Sequence, residues 1–153
     1  MAITSTTLYS TPFDVVKNIL RTSTVLNTKF NTNDYYEYFP AFSRGFRKYP
    51  FIVIRCPEVD DKWKTFRTNK EMNYNITITI YVEYLARNNL KTYLDALHST
   101  LNSDTSQDTF QTNGMENMNI NTTAFAEFPD IINNKKIVTV DINLGFDLFL
   151  DVS

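Results

Sequence analysis

Apolar and polar residues alternate with period two in three stretches of the chain and recur every three or four residues in two others. From 74 to 84, Ile76, Ile78, Ile80 and Val82 fall on one side and Asn75, Thr77, Thr79 and Glu83 on the other, which predicts a strand with one buried face. The longest alternation covers 136–150, where Val138, Val140, Ile142, Leu144, Phe146, Leu148 and Leu150 oppose Thr139, Asp141, Asn143, Gly145 and Asp147. A straight strand of that length reaches roughly 50 Å. The pattern therefore predicts a bend at Gly145 or projection beyond its own subunit. Weaker alternation at Met118, Ile120, Thr122, Ala124, Ala126 and Phe128 predicts a further strand, joined to the last by a hairpin turn at Asn133-Asn134. Phe51-Ile52-Val53-Ile54-Arg55-Cys56, closed by Pro57, reads as a short strand with apolar residues on both faces.

Helical periodicity marks two segments. Thr11-Pro12-Phe13-Asp14 has a capping residue, a proline suited to the first turn and an early acid, and opens a helix over about 12–27. Phe13, Val16, Ile19, Leu20 and Leu26 form its apolar side. The second helix follows Asn88-Asn89, read as its caps, and carries Leu90, Tyr93, Leu94, Leu97 and Leu101 in one stripe. Residues 28–50 read as loop, and 102–114 as a polar connector. The resulting order, α-β-β-α-β-β, predicts an α+β fold: a four-stranded, mainly antiparallel sheet with two helices packed on one face. The other face, lined by Thr, Asn and Asp, is left to solvent or a partner. Residues 1–153 read as a single domain, with 1–10 an N-terminal tail that is poorly ordered unless a partner ties it down.

Composition narrows the chemistry. The net charge is −2, which disfavours a dedicated duplex-DNA binder. Asn and Thr, at 17 and 20 residues, make up about a quarter of the 153 residues, whereas there are 3 Gly, 1 Cys and 1 His. One cysteine allows no internal disulfide, and one histidine allows no multi-His or Cys/His zinc site within the chain. Three glycines write no phosphate-cradling loop, and no Gly-x-Ser-x-Gly is present. No basic stretch followed by an apolar run opens the sequence, and no segment has the length of a membrane span, so a soluble, non-secreted protein is expected. Asn75-Ile76-Thr77 and Asn121-Thr122-Thr123 match the glycosylation triplet by chance in so Asn- and Thr-rich a chain.

Candidate reactive groups read as structural. Cys56 ends an apolar strand beside Pro57, the setting of an inert core thiol, and His98 flanks the leucine stripe of the second helix. Glu58, Asp60 and Asp61 adjoin Lys62, Lys64 and Arg67 in a polar stretch between two strands and read as a solvated hairpin tip, in preference to a cation site. Asn102, Asp104 and Ser106 echo a calcium loop, but Gln107 replaces its turn glycine and Asn113 its closing glutamate. No catalytic, metal or cofactor residues are assigned, and no enzymatic activity is expected.

The most biased composition lies in 34–51, where eight of eighteen residues are aromatic and Arg44, Arg47 and Lys48 are interleaved with them. Such a segment packs on its own core or on a neighbouring subunit, or less readily stacks the bases of single-stranded nucleic acid.

Tyr49-Pro50-Phe51-Ile52-Val53-Ile54, the 74–84 strand, the leucine-striped helix and the long last strand together resemble the tail-terminator, or tail-completion, proteins of long-tailed phages and related viruses. The resemblance covers about 10–152 and is one of element order, with additional residues around 28–48 and 104–116. It implies a virion structural protein of the tail or neck, assembled in the host cytoplasm. Such a protein forms a homo-oligomeric ring, typically a hexamer, that caps the tail tube, stops its polymerisation and joins it to the head connector. It implies no cofactor, no membrane and no sequence-specific nucleic acid, with genome DNA passing through the ring. A head-to-tail connector or stopper, or a tail-tube component, is the alternative in the same setting. From another class, a small α+β ligand-binding or regulatory domain with its pocket between helices and sheet fits the composition. A heterologous ring needs two different surfaces on each subunit. The candidates are the aromatic segment, with Tyr35, Tyr36, Arg44, Arg47 and Lys48, and the 58–73 hairpin, with Lys62, Trp63, Phe66 and Arg67.

Overall fold

Three strands of nearly equal length carry the fold: β4 (Asn69–Glu83), β5 (Met115–Asp130) and β6 (Lys135–Asp151). The computed structural model describes residues 9–30, 34–37, 49–63, 69–130 and 135–151. The other elements are α1 (Ser10–Thr22), β1 (Tyr35–Tyr36), β2 (Phe51–Ile54), β3 (Glu58–Trp63), α2 (Leu90–Leu101) and α3 (Asp104–Thr112). Short 3₁₀ turns occupy Leu26–Thr28 and Tyr84–Asn89.

The class expected from the sequence holds: helices and a sheet in an α+β arrangement. The sheet has six strand segments in the order β1-β2-β4-β6-β5, with β3 also on β4. Short β1 runs parallel to β2, and the other pairs are antiparallel. β2 and β3 act as one interrupted strand along β4. Ile54 faces Ile78 and Glu58 faces Asn75, so Arg55-Cys56-Pro57 spans only two residues of the partner. Pro57 has no N–H for the ladder, and Arg55 N–H bonds Thr77 O at 3.0 Å. The four expected strands are thus recognisable, and β1 is an addition.

β6 neither needs a break at Gly145 nor projects past its own chain. Asn69–Glu83 of β4 pairs with it from Asp151 to Ile137, and β5 lies along its other side. Gly145 stays in the ladder between Asn75 and Asn119. Neighbours of nearly equal length pair along it on both sides.

β5 departs from the expected alternation because its register shifts twice, between Glu116 and Asn119 and between Thr122 and Ala124. Within the first irregularity Asn117 adopts φ 53° and its Nδ2 donates to Asp147 Oδ2 at 3.0 Å. A bulge reverses side-chain parity. Ile120 and Thr122 therefore lie opposite Leu144 and Ile142 of the helix-side face, but Ala124 and Ala126 pair with Asp141 and Thr139 of the other. Phe125, which fell outside the alternation, takes the helix-side position opposite Val140.

Among the described residues three α-helices are present where two were expected. The first ends at Thr22, well short of 27. Ser23 breaks it: the backbone becomes extended, and Ser23 Oγ accepts from Leu26 N–H at 3.2 Å, starting the next turn. α2 begins without an Asn89 side-chain cap and continues instead from the 3₁₀ turn before it. The expected 102–114 connector contains α3. Ser103 caps it through Oγ to Ser106 N–H at 3.2 Å, and Gly114, with φ 77°, ends it in the left-handed position. Its only large apolar residue, Phe110, packs on Phe146 with centroids 5.0 Å apart. Of the calcium-loop echo, Asp104 and Ser106 lie in the first turn of this helix, and Asn102 caps the end of α2 before it.

The main core lies between helices and sheet, where Val16, Leu20, Ile54, Ile76, Ile80, Leu97, Val140 and Ile142 are fully buried. Each such side chain contributes about 1.5–3 kcal/mol. The opposite face is not uniformly open as the sequence suggested. Phe51, Val53, Tyr81 and Ile137 form a second buried cluster there, with Tyr36 and Tyr49 packed against it. Cys56 is exposed, contrary to the expectation of a core thiol, because it falls in the interruption between β2 and β3.

Candidate assembly surfaces

The outer half of β5 is uncovered on both faces. Thr122, Phe125, Ala126, Glu127 and Pro129 are exposed although they alternate between the two faces, and Phe125 is 64% exposed. Among the described residues no strand pairs with the outer edge of β5. Backbone donors and acceptors along that edge can accept another strand. Glu127 holds Lys136 at 2.9 Å, and this partner raises the lysine pKa.

At the same end of the sheet a basic corner surrounds Tyr84. Arg87 lies 4.1 Å and Lys136 4.4 Å from the ring centroid, and Arg87 NH1 donates to Tyr84 O at 2.9 Å. Lys135 bonds Glu83 at 2.6 Å. Leu85 projects from this corner with 89% of its surface exposed. It belongs to neither apolar pattern: β4 buries even-numbered positions through Val82, and the stripe of α2 starts at Leu90.

At the far end of α2 is a groove of about 380 Å³ between the end of α1 and the α2–α3 junction. Nine of its eleven lining residues are Ser or Thr; Ile19 and Val25 are the others. Ser23 and Thr100 join their hydroxyls at 2.8 Å, and Ser106 Oγ donates to Thr100 O at 2.7 Å. Asp104 and Asp108, both exposed, adjoin its lining residues Thr105 and Thr109. Neither forms an ion pair with a described residue.

The sheet face away from the helices divides into apolar and polar halves. In the apolar half Phe51 stacks on Tyr81, with centroids 4.7 Å apart and planes 12° from parallel, and Tyr36 meets Phe51 edge-on at 5.7 Å. In the polar half Thr77 Oγ1 donates to Asn143 Oδ1 at 2.9 Å and Thr79 Oγ1 to Asp141 Oδ1 at 2.7 Å. Burial raises the Tyr81 pKa against the lowering effect of its Arg55 hydrogen bond, and Asp141 adds to the rise.

These placements separate the residues named from the sequence. Tyr35 is a core residue, 6% exposed and near Phe30, so it offers no surface contact. Its hydroxyl is buried without a hydrogen-bond partner, and burial first, then Asp34, raises its pKa. Tyr36, one residue on, points to the opposite face, as strand alternation requires. Lys62 and Trp63 lie at the end of β3, in register with Glu71 and Lys70, and are described at the backbone only. Arg44, Arg47, Lys48, Phe66 and Arg67 lie outside the described residues. Leu85, Arg87, Phe125 and the hydroxyl groove were not singled out from the sequence. For Leu85 and Phe125 the available signal was that each is a large apolar residue out of phase with its neighbours.

Among the described residues no group of three or more His, Cys, Asp and Glu side chains is placed to hold a metal ion, and no helix is long and apolar enough to cross a membrane. In comparisons with known proteins, no family model and no curated protein matches the chain.

Proposed function

We propose that this protein is an assembly subunit of a virion, a tail terminator. Copies close into a ring, with six as the expected number, that caps the tail tube, ends its polymerisation and meets the head connector. The observation that carries the reading is the outer half of β5, exposed on both faces and, among the described residues, unpaired along one edge, with Phe125 64% exposed. A strand in that state is suited to completion by a neighbour. Thr77, Asp141 and Asn143 on the other sheet face are half-buried and Thr79 is buried, so this polar ladder is partly covered and adds little to the reading. A connector, stopper or tube subunit draws on the same edge and is the second reading.

The test is to add the protein to polymerising tail-tube protein from the same virus and measure tube lengths. The proposal expects shorter tubes with added density at one end. Unchanged lengths with no bound protein would remove the terminator role, and incorporation along the tube wall would favour a tube subunit.

A further inference from the structure

We propose that the Leu85 corner of one copy docks into the hydroxyl-lined groove of a second copy, with Arg87 and Lys91 set against Asp104 and Asp108. Copies then join head to tail. This contact deepens the assembly reading above and rests on it, naming two surfaces that the edge of β5 does not include.

Four observations support it. First, Leu85 is 89% exposed on a tight 3₁₀ turn, and neither apolar pattern of the chain requires it. An apolar knob held out on an ordered turn is a feature of contact surfaces. Second, the groove has room for such a side chain, and its apolar surface comes from Ile19, Val25 and threonine methyls. Val25 is itself 45% exposed. Six of the nine lining hydroxyls, those of Thr22, Ser23, Thr100, Ser103, Ser106 and Thr109, are bonded to one another or to backbone, so an apolar group can enter without stranding them.

Third, the charges are complementary. Arg87 and Lys91 are exposed beside the knob, and Asp104 and Asp108 are exposed beside the groove. The two acids stand four residues apart on α3, a like-charge spacing that costs an isolated helix about 0.2–0.5 kcal/mol. A cation from outside relieves that repulsion. Fourth, the two surfaces sit at opposite ends of α2, whose 12 residues span about 18 Å. Knob and groove therefore cannot meet within one subunit. A contact between two different surfaces of identical chains is heterologous, and it closes into a ring or continues as an open chain according to its rotation.

The experiment is site-directed crosslinking in a Cys56→Ser background. Leu85→Cys protein is mixed with Thr105→Cys protein under mild oxidation, with Val25→Cys as a second groove position. Thermal melts establish that each variant is folded. The expected result is a disulfide-linked pair in the mixture at about tenfold the yield of either variant alone. Arg87→Glu on the knob copy lowers that yield by about tenfold, and Asp104→Lys with Asp108→Lys on the groove copy restores it. Linkage of Leu85→Cys to itself alone, no linkage at all, or a yield insensitive to the charge changes would overturn the proposal. Imaging the same samples separates the two readings. Closed rings without mixed linkage would leave ring assembly standing and remove this contact, and mixed linkage in open chains would do the reverse.

Discussion

Ser23 and Thr100 meet hydroxyl to hydroxyl at 2.8 Å, tying the end of α1 to the last turn of α2. Ser23 Oγ also accepts from Leu26 N–H, so one side chain ends a helix, starts a 3₁₀ turn and joins two elements. Ser23→Ala should destabilise the protein by about 1–2 kcal/mol, since it removes a cap and leaves the buried Thr100 hydroxyl with one partner fewer. Urea unfolding monitored by circular dichroism measures this, and an unchanged midpoint would show that the contact is energetically idle.

Tyr35 supplies the opposite case. Its buried hydroxyl has no partner, so Tyr35→Phe should stabilise the fold by about 1 kcal/mol at neutral pH. The alkaline limb follows from the raised pKa values of Tyr35 and Tyr81. The unfolded chain loses these protons near the ordinary value of 10.0, while the folded chain still holds them. Stability is therefore fully present below pH 10 and falls as pH rises beyond it. Melting temperatures above pH 10 should decline less steeply in Tyr35→Phe than in the parent. Equal slopes would mean that the phenol is not shielded.

The Phe51–Tyr81 stack anchors the second apolar cluster, on the face that alternation alone assigns to solvent. Phe51→Ala should cost about 3–5 kcal/mol, the range for a fully buried aromatic. A loss below about 1 kcal/mol would show that this face is only loosely packed.

Much of the framework was legible because sheet and helix impose different periods. Even-numbered apolar positions from Ile76 to Val82 and from Val138 to Phe146 located β4 and β6, and the stripe from Leu90 to Leu101 located α2. What escaped was set by local hydrogen bonding. Ser23 shortened α1, Ser103 started a helix with little apolar content, and the bulges of β5 moved Phe125 onto the face expected for its neighbours. Cys56 is exposed because Pro57 interrupts the strand, an effect on ladder geometry that residue type does not reveal. The candidate surfaces were less legible, since Leu85 and Phe125 stand out only once the neighbouring faces are known.

Gly145 tests the account of β6. A Cβ built there would meet Asn75 Oδ1 at 3.5 Å and Asn119 Cβ at 3.8 Å, which is ordinary contact. Gly145→Ala should therefore be tolerated and, through lower unfolded-state entropy, stabilise by up to about 1 kcal/mol. Destabilisation by more than about 1 kcal/mol would mean that the strand depends on the flexibility of glycine after all.

Assembly through the exposed half of β5 can be seen by negative-stain imaging of the purified, concentrated protein beside Phe125→Asp. The parent should give closed rings with a central hole, sixfold in class averages. Phe125→Asp should give folded single copies, since an exposed side chain contributes little to the monomer. A parent preparation of dispersed single copies at the same concentration, or rings unaffected by Phe125→Asp, would contradict it.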